Sequence, residues 1–150
     1  MRKWIDIPPV WLAAFLALAW AQAAFVPMGL SFGTTGARFL GGLAVGGGLV
    51  LMALAAYEMR RRRTTLIPHA EASALVTSGI FSRSRNPIYL GDALILTGMI
   101  LYWGAVLALV LIPIFVWLIE RRFILPEEDR LRRKFRADFA RYCQKVRRWV

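Results

Sequence analysis

The chain has 150 residues, 58% hydrophobic and 19% charged, with a net charge of +11 and a mean hydropathy of +0.51. A soluble domain of this size exposes so much surface that it needs polar side chains throughout. Here Asp6 is followed by no charge until Arg38, and Asp92 by none until Glu120, stretches that match the ~20 apolar residues needed to cross a bilayer core and exclude a soluble globule.

The first apolar segment, Val10 to Leu30, competes with a secretory signal, because Arg2 and Lys3 precede it and Ala21-Gln22-Ala23 mimics a cleavage site. Its apolar character continues past Ala23, which favours a retained span. The second span, Phe39 to Tyr57, carries Gly41, Gly42, Gly46, Gly47 and Gly48. Gly42 and Gly46 form a G-x-x-x-G pair of the kind that lets helices approach closely in lipid; the order and flanks of a phosphate loop are absent. Arg60 to Arg63 end this span and, with Arg2 and Lys3, mark the cytoplasmic side. Arg38 marks the far-side turn.

Residues 88–119 form a third apolar block of 32 residues interrupted by Tyr102-Trp103-Gly104. Two helices of ~15 residues would each rise only ~22 Å, so the block predicts a short helical hairpin with both ends cytoplasmic and Pro113 kinking its second arm. The tail, residues 120–150, holds 11 basic and 5 acidic residues. Leu131, Phe135, Phe139, Tyr142, Val146 and Trp149 recur at helical spacing, which predicts one amphipathic helix with Pro126 at its start and Glu127 to Asp129 at its positive end. Such a basic helix suits anionic lipid headgroups, and nucleic acid is not an expected partner. The fold class is therefore an all-α integral membrane protein of about four transmembrane helices, two spans plus a hairpin, with a C-terminal amphipathic cytosolic helix.

One cysteine, Cys143, rules out an internal disulfide and a Cys-based zinc site, and one histidine, His69, rules out the two-His metal motifs, so no metal site is expected. His69 falls in a linker, which weighs against a catalytic role, and its role is left open. Asp92 lies just inside an apolar helix, where it either faces a pocket or joins a polar contact between helices. Two polar clusters fall on the cytoplasmic face, Arg85-Asn86-Pro87 with Tyr89, and Arg121 with Glu127 and Glu128. Read alone, Asn86-Pro87 equally well caps a helix start.

The run Ala74-Leu75-Val76-Thr77-Ser78-Gly79-Ile80-Phe81, then Ser84-Arg85-Asn86-Pro87-Ile88-Tyr89-Leu90-Gly91, resembles the isoprenylcysteine carboxyl methyltransferase family and the related phospholipid methyltransferases. Thr64-Thr65-x-x-Pro68 upstream, and Trp117-x3-Arg121 and Glu127-Glu128-x2-Leu131-x3-Phe135-x6-Tyr142-x3-Val146 downstream, extend the likeness. Asn86 in place of the eukaryotic His resembles the bacterial branch. Where the family often has Gly after the tail Phe, this chain has Arg136, and it has fewer spans than the eukaryotic members.

The resemblance implies a methyltransferase using S-adenosyl-L-methionine in a single domain, residues 1–150: two spans (1–59), a cytosolic cofactor loop (60–87), the hairpin (88–119) and the tail (120–150). It implies that Leu75, Val76, Thr77, Gly79, Asn86, Pro87, Tyr89, Glu127 and Glu128 bind the cofactor, and that Arg85, Arg121 and Asn86 serve catalysis on a small or lipophilic acceptor, a carboxylate or thiol in preference to a phospholipid amine. The competing function is a non-enzymatic membrane protein binding anionic lipid or a partner through its tail. The implied location is a bacterial inner membrane, with membrane lipids as partners and both termini cytoplasmic; the oligomeric state is left open.

Overall fold

The computed structural model describes residues 5–26, 34–64 and 73–150. Arg2, Lys3, Thr65, Pro68, His69 and the end of the first predicted span lie outside them. Wholly within the described residues six α-helices run in order: α1 (Pro8–Phe25), α2 (Thr35–Arg61), α3 (Pro87–Trp103), α4 (Leu111–Ile119), α5 (Leu125–Phe135) and α6 (Ala137–Lys145). Among the described residues there is no strand. The all-α class is as the sequence predicts, and α1 and α2 are each long and apolar enough to cross a membrane.

Pro8 and Pro9 open α1, where a missing N–H costs nothing. Thr34 caps α2, its Oγ1 accepting from the Ala37 amide at 3.1 Å. Arg60 and Arg61 sit at the negative end of α2. At 27 residues α2 rises about 40 Å, and much of its apolar surface (Phe39, Leu43, Leu49, Val50) is exposed, as a lipid-facing helix requires.

Glycine does bring α2 against α3, but not through the predicted pair. Gly42, Gly46 and Gly47 face open space. Gly41 meets Gly98, and Gly48 meets Gly91: a Cβ on any of the four would lie 2.5–2.7 Å from a neighbouring atom, in each case including the carbonyl oxygen of its opposite glycine. The spacing that packs is two turns on each helix, because the facing positions of α3 are themselves glycines two turns apart.

The hairpin forms as expected. Gly104, at φ +67°, ends α3 in the left-handed conformation glycine tolerates, and a 3-10 turn (Leu107–Val110) leads into α4. Pro113 lies in the first turn of α4, where it needs no hydrogen bond, rather than in mid-helix where it would kink the arm. Gln22 of α1 reaches this turn, its Oε1 accepting from the Ala108 amide at 3.1 Å. The core joins Phe15 and Ala19 of α1 to Leu96 and Ile100 of α3 and Phe115 and Ile119 of α4, with Phe15 and Phe115 edge to face at 5.2 Å.

The tail departs most from expectation. It does not start afresh at Pro126; α4 continues through a π-helical turn (Glu120–Ile124) into α5, the Leu125 amide donating to the Glu120 carbonyl five residues back. The wider turn fits because Pro126 has no amide to donate and its ring crowds the carbonyl four residues earlier. The amphipathic helix then breaks at Arg136 (φ +45°, ψ −113°). Leu131, Phe135, Phe139, Tyr142 and Val146 still form one apolar cluster with Leu75. Trp149 leaves it, because the chain is extended from Val146, and packs on the main core with its Nε1 donating to Glu120 at 3.1 Å.

Candidate active site

A cavity of about 870 Å³ lies where the 73–86 segment, the first turns of α3, the length of α5, and α6 converge. Ile7 to Pro9 and Met52 and Met59 wall it on the side of α1 and α2. The loop over it is pinned at both ends. Ser78 Oγ donates to Glu58 Oε1 at 2.5 Å and accepts from Arg62 Nε at 3.2 Å. Gly79, at φ +60°, lies so close to Glu58 that a Cβ would sit 2.8 Å from its Oε2. At the other end the Tyr142 hydroxyl donates to the Phe81 carbonyl at 2.6 Å, and burial pushes that phenol above its ordinary pKa.

The C-terminal residues fold back across the start of α3. The Arg85 amide donates to the Arg147 carbonyl at 3.0 Å, and Asn86 Nδ2 donates to the Arg148 carbonyl at 3.1 Å. Arg148 grips Glu128 through Nε (2.9 Å) and Nη2 (3.0 Å), and Glu120 through Nη1 (3.1 Å). Hydrogen bonding to Glu128 raises its pKa further, so the guanidinium stays charged. Arg85 adds a second cation 3.5 Å from Glu128. Tyr89 donates to Glu127 Oε2 at 3.1 Å. Asp92, one turn deeper on α3, is only 1% exposed, and neither of its carboxylate oxygens has a hydrogen-bond partner among the described residues.

Of the residues singled out in the sequence, Leu75, Val76, Arg85, Asn86, Pro87, Tyr89, Glu127 and Glu128 line this one cavity. Three do not. Thr77 is exposed and lines a shallow outer depression with Asp138 and Arg141. Gly79 is turned against Glu58, away from the cavity. Arg121 is exposed on the π turn, whose neighbours Arg122 and Phe123 are drawn to Asp6 and into the core. Cys143 lies beside the apolar stripe, where it accepts from Arg85 Nη1.

Phe81, Phe139 and Tyr142 also line the cavity, as does Asp92, which settles its two readings in favour of the pocket. Arg148 was not legible, since nothing local to its basic run distinguishes it from its neighbours. The helical spacing of Phe139 and Tyr142 did mark an inward face.

The phospholipid methyltransferase family model matches residues 37–138, from the first turn of α2 into the first turn of α6. An uncharacterized protein of Haemophilus influenzae is 41% identical over 63 residues, which make up 42% of this chain and 100% of that protein. No solved structure matches the chain.

Proposed function

The chain belongs to the phospholipid methyltransferase family and is a membrane methyltransferase, and from that premise we propose that it transfers a methyl group from S-adenosyl-L-methionine to a small or lipophilic acceptor at the cytoplasmic face of a bacterial inner membrane. The observation that carries this reading is the cavity where the two ordered motifs meet, large enough for a nucleoside-sized ligand. Its residues fit the cofactor. Thr64 Oγ1 and Arg85 Nε are buried polar atoms on its wall without partners among the described residues, and such atoms are costly unless a ligand satisfies them.

The bound cofactor supplies a methyl group on a positively charged sulfur. Glu127, on the cavity lining beside the Tyr89 hydroxyl, holds its cationic methionine end, and Glu128, gripped by Arg148 and Arg85, fixes the shape of the site. Val76, Phe81 and Phe139 offer flat apolar walls to the adenine. Asn86 and Pro87 fix the first turn of α3 so that donor and acceptor align, and alignment provides much of the rate in an in-line displacement. Arg85 positions an anionic group of the acceptor.

The acceptor reading is a carboxylate or thiol, by the likeness to isoprenylcysteine carboxyl methyltransferases; the family match favours a phospholipid amine as the second reading. Calorimetry with S-adenosylhomocysteine tests the donor site. The wild type binds and Glu127→Ala loses about tenfold or more in affinity, as removal of a charge-assisted contact predicts. Absence of heat with the wild type overturns the proposal.

A further inference from the structure

Asp92 is a group that neither the fold nor the donor site uses. It sits in an apolar 17-residue helix, 99% shielded from water, with both carboxylate oxygens unpartnered among the described residues. Its neighbour Gly91 packs on Met52, so Asp92 and Met52 share one level of the cavity wall, a turn deeper than the Tyr89–Glu127 pair. A carboxylate at such depth costs free energy that packing does not return. A structural role would show a donor at one oxygen at least.

We propose that Asp92 is a catalytic residue that touches the acceptor and takes its proton, and that it selects acceptors whose nucleophilic atom arrives protonated, an ammonium or a thiol, against carboxylates. The inference rests on the donor reading above and narrows its acceptor. In the step, the acceptor's N–H or S–H proton passes to the Asp92 carboxylate. The freed lone pair then forms the new bond to the methyl carbon, the methyl–sulfur bond breaks, and its electron pair stays on the donor's sulfur. The proton later leaves Asp92 to water. A carboxylate acceptor needs no base and meets like-charge repulsion from Asp92.

Asp92→Asn in detergent-purified full-length protein tests this with octylamine, octanethiol and octanoate as acceptor probes and labelled S-adenosyl-L-methionine. S-adenosylhomocysteine affinity stays unchanged, transfer to octylamine or octanethiol falls about a hundredfold, and octanoate is methylated by neither protein. Independently of turnover, Asp92→Asn raises Tm, because an unsatisfied buried charge is removed, and abolishes the stabilisation that octylamine gives the wild type. A lowered Tm, an octylamine shift that survives the substitution, or octanoate methylated in preference overturns the proposal. Failure of the wild type to bind S-adenosylhomocysteine instead overturns the donor reading, and the Tm and octylamine arms still decide on Asp92.

Discussion

Arg136 holds φ +45° between α5 and α6, a conformation that costs a β-carbon residue about 1 kcal/mol or more and glycine almost nothing. Arg136→Gly therefore raises stability by about 1 kcal/mol, readable as a higher Tm in detergent. The family's usual glycine after the tail Phe was visible in the sequence as a departure, but its meaning was not, because an unbroken apolar stripe hid the change of direction. Arg148 makes the opposite case. Its side chain is 31% exposed against 8% for Glu128, so Arg148→Ala costs about 2 kcal/mol, less than for a fully buried pair. The loss is measurable by denaturant unfolding, and it weakens donor binding by releasing Glu128. The cavity residues of the Leu75–Tyr89 run and the two glutamates were legible because their order and spacing are local. Arg148 acquires its significance only from a fold-back, which is not written in spacing; Asp92 was marked by its place inside an apolar helix, but its missing partner shows only in the fold.

Helix α2 carries five glycines in its middle, and which of them matter depends on the helix opposite. Gly98→Ala pushes a methyl into the Gly41 carbonyl and costs about 1–3 kcal/mol. Gly46→Ala meets open space and gains up to about 1 kcal/mol of helix propensity. Parallel unfolding of the two variants checks this; equal destabilisation would refute the assigned interface. Close glycine packing was readable from composition, but the register was not, because a one-helix pattern does not say which face meets α3. The same limit explains Pro113 and Pro126. Proline marks a constraint on the local hydrogen-bond ladder, and the chain met it once by placing the residue in a first turn and once by widening a turn.

At the scale of the molecule, charge and hydropathy predicted most of the arrangement: two long apolar helices, a short hairpin turning at Gly104, and the polar clusters at one end. Arg38 and the Arg60–Arg61 pair occupy opposite ends of α2, so Thr77→Cys in a Cys143→Ala background tests sidedness. An impermeant maleimide labels it in inside-out vesicles and not in intact spheroplasts if the cavity faces the cytoplasm. The five-residue wide turn at Glu120–Ile124 sets how the molecule tolerates length changes. Loss of a single codon there, such as that for Arg121, lets the ladder close at ordinary pitch with almost no net rotation downstream, because the wide turn spends one residue more than an α turn on nearly the same angle. Glu127 and Glu128 then keep their places beside Tyr89 and Arg85, whereas the same loss from the regular turns of α4, which hold no spare residue, rotates both off by about 100° and inactivates the protein with every motif intact in the gene.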